Sequence, residues 1–316
     1  MRFRCLLGLT VTVVACGGSD VVIPDGGGDD GAAADSGTPA DGAASDSGVA
    51  DANPSDSGAP DTGADSGGWS VANVPGLALW LDAAKGITKN GQNQVSQWND
   101  QSGNGNHATQ GLSARQPIAT ASVINGQPTV RFAQGQTNGM VMNVADSSTL
   151  RWGQGDWLIE VVARFDNNPA SGTGTRAGLF WAKFPTGMAN TPGVIYLANN
   201  PLGMTPSTGL TGGIINANAF VGVTTVYNDN AARVFAYRRV GNTLELRVGG
   251  APVATQNLNG NPNVDAMGTV VRIGADFDAT TNRLNGDVAE MIAVKGTISA
   301  QDLGNIEGYL KGRYGL

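Results

Sequence analysis

The residues best placed to do chemistry in this chain are oxygen donors gathered in two loops. The run from Asp100 to His107 sets Asp100, Ser102, Asn104 and Asn106 at alternate positions, with Gly103 and Gly105 between them. A second run carries Asp276, Asp278, Asn282, Asn285 and Asp287, flanked by Arg272 and Arg283. Calcium takes roughly six to eight oxygen ligands, so Asp100 with Asn104, or Asp276 with Asp278 and Asp287, could ligate Ca²⁺. The glycine order of the first run is not that of an EF-hand loop. An Asx-rich turn and Asp–Arg ion pairs account for the same residues without a metal. His107 is the only histidine, which excludes a multi-histidine centre and leaves one imidazole as base for any nucleophile. It can instead contact a ligand or be satisfied by the backbone of its own turn.

Thiol chemistry is excluded from most of the chain. The two cysteines are Cys5 and Cys16, so residues 17–316 can form no disulfide and no zinc–thiolate site. Cys16 ends a short apolar stretch, Leu6 to Ala15, behind a basic start with Arg2 and Arg4. That stretch is too short to span a bilayer. Val13-Val14-Ala15-Cys16 resembles the lipobox of bacterial lipoproteins, in which the cysteine is acylated and becomes the new N-terminus. The resemblance implies a cleaved signal over residues 1–16 and a membrane anchor on Cys16. Gly17 in place of Asp after it implies sorting to an outer membrane.

The charges divide the chain into three parts. The net charge of −7 is the sum of two Arg in residues 1–16, eleven Asp and no basic group in 17–68, and 17 basic against 15 acidic groups in 69–316. Residues 17–68 are almost wholly Asp, Gly, Ala, Ser, Pro and Thr, with DSG at Asp35, Asp46, Asp56 and Asp65. Such a composition buries too little apolar area to offset chain entropy, so a disordered linker is expected, spanning roughly 40 Å as a flexible coil. The remaining domain, 69–316, is near neutral, which argues against an electrostatic nucleic-acid surface.

Within that domain the hydropathy alternates in short runs broken by Gly, Asn and Pro. Strands are expected at 77–81, 94–98, 129–132, 140–143, 157–165, 179–184, 194–197, 220–227, 234–240, 243–248, 270–274 and 286–294. In the run 157–165, Trp157, Ile159, Val161, Ala163 and Phe165 share one face while Glu160 and Arg164 lie on the other. Gly241-Asn242 predicts a two-residue hairpin loop. One helix is expected from Ala300, capped by Ser299 with Asp302 three residues on. Its stripe is Leu303, Ile306, Leu310 and Tyr314, with Lys311 and Arg313 at the negative end of the dipole and Gly315 closing it. About a dozen strands and one helix predict an all-β, two-sheet antiparallel sandwich.

The motifs Leu77-Ala-Leu-Trp80-Leu-Asp82, Val95-Ser-Gln-Trp98-Asn-Asp100, Pro128-Thr-Val-Arg-Phe132 and Ile273-Gly-Ala-Asp276 carry a wider resemblance. With Asn285-Gly-Asp287-Val-Ala-Glu290 and Glu307-Gly-Tyr309-Leu, they make the chain similar to LamG-like, concanavalin A-like lectin/glucanase jelly-roll domains over residues 77–316. The resemblance implies two facing antiparallel sheets of six or seven strands each. Members include lectin-like, adhesive and enzymatic proteins, so fold alone does not assign function. Glycan-cleaving members set carboxylates on one strand as E-x-D-x-x-E. Here Glu160, Glu245, Glu290 and Glu307 each lack a carboxylate two residues away, so a non-catalytic module is expected. Sugar binding by this fold uses an exposed aromatic. Trp152 and Trp181 are the candidates, because Trp80, Trp98 and Trp157 lie in core-like runs. Glu290 shares strand parity with Val288, Ile292 and Val294, and if buried needs a partner such as Arg131 or Arg272.

The expectation is a lipid-anchored protein of the bacterial cell envelope that displays a binding or adhesion module, most plausibly for a glycan or envelope polysaccharide. A divergent glycan-active hydrolase or lyase and a protein–protein module are the alternatives. No nucleic-acid partner is expected, and Ca²⁺ is the one cofactor the loops could take.

Overall fold

The computed structural model describes residues 69–133, 140–166, 179–183, 195–199, 209–275 and 283–316, all within the second of two compact units, Pro60–Leu316. Their elements run in chain order β1 (Leu77–Asp82), β2 (Ile87–Lys89), β3 (Val95–Trp98), β4 (Ala108–Thr109), β5 (Ile118–Ile124) and β6 (Gln127–Phe132). Next come β7 (Met142–Val144), β8 (Trp157–Phe165), β9 (Leu179–Lys183), β10 (Ile195–Asn199), β11 (Leu210–Ile214) and β12 (Ala219–Gly222). The chain closes with β13 (Arg233–Val240), β14 (Thr243–Val248), β15 (Ala251–Asn257), β16 (Val271–Ile273), β17 (Gly286–Lys295) and helix α1 (Ala300–Tyr314).

The strands form a two-sheet antiparallel sandwich. One sheet has eight strands in the order β15-β14-β13-β8-β17-β6-β5, with β1 also on β17. The other has nine, β12-β11-β10-β9-β16-β7-β4-β3-β2. Strand β17 carries β8 along one flank and shares the other, with β6 on Gly286 to Val288 and β1 on Glu290 to Val294. The sheets hold more strands than the six or seven expected. Of the unforeseen ones, β2 and β4 are very short, and β15 is exposed along nearly its whole length. Strand β5 is interrupted by Ser122 at φ 54°, and β11 holds Gly212 and Gly213. None of these carries an alternating apolar pattern. Conversely, the run expected to reach Tyr227 stops at Gly222. The Tyr227 backbone is paired instead with the Asn199 side chain, whose amide donates to its carbonyl at 2.8 Å and accepts from its N–H at 3.1 Å.

The inner face of β8 follows its alternation. Trp157, Ile159, Val161, Ala163 and Phe165 pack between the sheets with Met142, Val144, Trp181, Leu197, Val271 and Ile273. Its opposite face, Leu158 and Val162, is equally buried, with Ala236, Ala289 and Ile292 under Leu303, Ile306, Leu310 and Tyr314 of α1. The helix starts at its expected cap, where Ser299 Oγ accepts from the Asp302 N–H at 3.0 Å, and ends at Gly315 in the left-handed conformation. Burial of each large aliphatic side chain stabilises this docking by about 2 kcal/mol. The hairpin at Gly241-Asn242 is as expected, with Val240 opposite Thr243 and Gly241 at φ 56°.

A register shift between Val288 and Glu290 corrects the parity read from sequence. An extra residue in a bulge reverses the alternation beyond it. Val288 therefore packs between the sheets, while Glu290, Ile292 and Val294 face the helix.

The sandwich interior is tight at Gly212, where an added Cβ would lie 2.6 Å from the Tyr237 ring. Gly212→Ala is expected to destabilise the fold by about 1–3 kcal/mol, the usual range for overpacking, read as a lowered urea midpoint with an unchanged slope.

Candidate functional site

The Asp100 turn joins β3 to β4, and its carboxylate builds it. Asp100 Oδ1 accepts from the N–H groups of Trp80 and Ser102, both at 2.9 Å. Its Oδ2 accepts from Ser102 Oγ at 2.7 Å and from the Asn106 N–H at 2.9 Å. Asn104 donates its amide to the Leu77 carbonyl at 2.8 Å, and Asn106 donates to Ala78 O and Thr149 Oγ1. Four internal donors thus meet at Asp100, which uses its carboxylate to hold the turn. His107 is exposed, and its Nδ1 accepts the Asp100 N–H at 3.0 Å. The turn thus presents His107 and Asn104 to solvent on a backbone fixed from beneath.

Asp287 is likewise committed. Its Oδ1 accepts from Thr129 Oγ1 at 2.9 Å, and its Oδ2 from Arg131 Nη1 at 3.0 Å and Arg164 Nε at 2.8 Å. Arg131 also pairs with Asp166. The ion pairs of Asp287 come from neighbouring strands, because cross-strand register brings Arg131 and Arg164 to either side of it. Asp276, Asp278 and Cys16 lie outside the described residues. No group of three or more His, Cys, Asp or Glu suited to a metal occurs among the described residues.

Both candidate tryptophans are interior. Trp152 is 5 % exposed and Trp181 is fully buried. Trp152 stacks on Trp157 and on Trp181, each at 5.3 Å between centroids, and donates its indole N–H to Thr149 O. Neither ring offers a face to a sugar. Alternation sends Trp181 inward, which sequence alone left open.

Glu290 is buried and partnered, but by other residues than Arg131 or Arg272. Oε1 accepts from Trp80 Nε1 at 2.6 Å and from the Tyr309 hydroxyl at 3.1 Å. Oε2 accepts from the Tyr314 hydroxyl at 2.9 Å and from Arg313 Nη1 at 3.1 Å. Arg313 also clamps the buried Asp82 through both terminal nitrogens, at 2.8 and 2.9 Å. Burial pushes the Glu290 carboxyl up to about 7, against the pull of Arg313 and with the push of Asp82. The helical pattern assigns Arg313 a dipole role alone; its partner Asp82 lies more than 200 residues away, where no local pattern reveals it. A second missed cluster joins buried Lys183 to Asp146 at 3.1 Å, with Arg151 on the same carboxylate. Its burial raises Asp146, but hydrogen bonds from Arg151, the Gly268 N–H and Lys183 outweigh that and hold it near 2.

A polar row crosses the outer face of the nine-stranded sheet. Register sets Thr88 beside Gln97, Gln97 beside Thr109, Thr109 beside Asn143 and Asn143 beside Arg272. Adjacent strands lie roughly 4.8 Å apart, so Thr88, Gln97, Thr109 and Asn143 form a ladder of hydroxyls and amides that ends at Arg272. Within it Gln97 donates to Asn99 Oδ1 at 2.6 Å and Thr109 to the Asn143 carbonyl at 3.4 Å. The ladder is backed by Trp98, Ala108, Met142 and Val144 on the inner face. The Asp100 turn emerges from the ends of the strands bearing Gln97 and Thr109.

No family model matches the chain, and no curated protein matches it. Among solved structures, the binding domain of botulinum neurotoxin serotype G superposes with a TM-score of 0.50 at 9 % identity, covering 74 % of this chain and 51 % of that one. The likeness is one of fold. The binding domain of Paraclostridial Mosquitocidal Protein 1 gives 0.48 at 11 % identity, covering 75 % and 52 %. The Ruminococcus gnavus IT-sialidase CBM40 bound to α2,3-sialyllactose gives 0.36 at 13 %, covering 48 % and 82 %. The chain spans about half the length of the first two.

Arg313→Met removes the cation from two buried carboxylates, so a loss of about 3–5 kcal/mol is expected in denaturant unfolding. Asp100→Ala is expected to cost about 2–4 kcal/mol in denaturant unfolding by leaving its donors unpaired.

Proposed function

We propose that the protein is a non-catalytic binding module whose ligand is a carbohydrate chain. The observation that carries this reading is the combination of spent carboxylates and a polar ladder on an outer sheet face. Asp82, Asp100, Asp146, Asp287 and Glu290 are each engaged by internal donors, so none of them makes a free acid–base pair of the kind glycoside cleavage requires. The ladder of Thr88, Gln97, Thr109 and Asn143 offers donors and acceptors without charge, the chemistry that sugar hydroxyls match. The exposed His107 and Asn104 of the adjoining turn extend it. The superposition on a neurotoxin binding domain supports the architecture and not the ligand. With buried tryptophans, recognition rests on hydrogen bonds rather than ring stacking.

The proposal includes the placement of this module. Residues 1–16 direct export, Cys16 carries the lipid, residues 17–68 tether the module, and the chain resides in the bacterial cell envelope at the outer membrane.

The test is a glycan array probed with the purified protein, in calcium and in chelator. Binding to a defined glycan class, equal in both buffers, is expected. The paired change Gln97→Ala with Asn143→Ala is expected to weaken it at least tenfold, about 1.4 kcal/mol. Absence of binding across a broad array, or binding indifferent to the paired change, refutes the ladder. Cys16→Ala is expected to move the protein from the membrane fraction to the soluble fraction in its host.

A further inference from the structure

The face of the eight-stranded sheet beneath α1 contains a carboxyl group that no partner satisfies. Glu160 sits mid-way along β8, between Ala236 of β13 and Ile292 of β17. Alternation points it out of the sandwich, onto the same face as Leu158 and Val162, which pack under the helix. It is fully buried, and both of its oxygens lack a hydrogen-bond partner.

Two of the three cations near it are already engaged by other carboxylates. From α1 come Glu307 and Lys311, from β14 Arg247, and from β13 Arg238. Arg247 is held by Glu307 at 2.6 Å and by Glu245 at 2.8 Å, and Arg238 by Glu245 at 3.0 Å. On the neighbouring strands the same interface holds Glu290 of β17 and Asp82 of β1, both on Arg313. None of these cations donates a hydrogen bond to Glu160. Burial and then Glu307 oppose its ionisation, and Arg247, Arg238 and Lys311 favour it without offsetting the burial. An unpaired carboxylate in such a place is strongly disfavoured, so the group keeps its proton while the helix is seated.

We propose that Glu160 makes the seat of α1 a proton-operated latch, closed while this carboxyl is protonated and released as it ionises on contact with water. Burial raises the Glu160 carboxyl well above the ordinary glutamate range, with Glu307 adding to the rise. The sign follows from linkage. The closed form binds one more proton than the open form at any pH above the ordinary glutamate value and below the raised one. The latch is therefore tightest in acid and loosens as pH rises through that window. Opening uncovers Leu158, Val162, Ala236 and Ile292 while the interior between the sheets stays packed. The inference is independent of the carbohydrate reading.

The test is amide hydrogen exchange of the full chain from pH 5 to pH 8, with rates corrected for intrinsic exchange. In the wild type, the opening constant of the α1 amides is expected to rise by up to tenfold per pH unit from Glu160, ahead of the β8 amides Leu158 to Val162. Glu160→Gln is expected to flatten that rise by the same factor, and Glu160→Met, which needs no proton to be buried, to do likewise should the glutamine variant fold poorly. Glu290→Gln is expected to leave the Glu160-dependent part in place, so that the double change Glu160→Gln with Glu290→Gln is flatter than Glu290→Gln alone. Parallel pH profiles for wild type and both Glu160 variants overturn the proposal. So does a wild type in which α1 and β8 amides open together, which makes the event global unfolding.

Discussion

The two central strands of the eight-stranded sheet are buried on both faces, and the rest of the domain is arranged around that demand. In β17 every residue from Gly286 to Val294 is buried, and in β8 every residue but Arg164. A sheet that presents apolar side chains on both sides needs a cover on each. The nine-stranded sheet supplies one. The C-terminal helix supplies the other, with Val71 and Val74 beside it. Because the helix closes from the end of the chain, its docking joins Tyr314 to Trp80 through Glu290 and so ties the two ends of the domain together.

That second cover is where the fold accepts buried charge. The interface holds Asp82, Glu290 and Glu160 within apolar surroundings, and only the first two share a cation. Desolvation of a carboxylate exceeds what a single hydrogen bond returns. Glu290 meets this with four donors; Glu160 has none. The contrast between two carboxyls on adjacent strands of one face shows that burial alone does not define a role. Partners decide whether a buried acid is an anchor or a proton store.

Carboxylates elsewhere are spent on local architecture. Asp100 closes a turn, Asp287 joins three strands, and Asp146 receives a buried lysine. The outer face of the nine-stranded sheet carries amides and hydroxyls beside Arg272.

Much of the fold was legible because periodicity is local. The full extent of β8 and β14, the Gly241-Asn242 loop, and helix α1 with its cap follow from alternation, turn chemistry and capping within a few residues. The sequence likewise determined that no cysteine or multi-histidine chemistry is open to the domain. Tertiary structure alone decided which face each ambiguous residue took. A single bulge turned Glu290 from the interior to the helix, alternation against the second sheet enclosed Trp181, and Arg313 found Asp82 across more than two hundred residues. The loops rich in Asp and Asn looked alike as candidate cation sites. Whether a carboxylate is free for a ligand depends on donors brought from distant strands, and strand pairing, being non-local, is written in no single window of the chain.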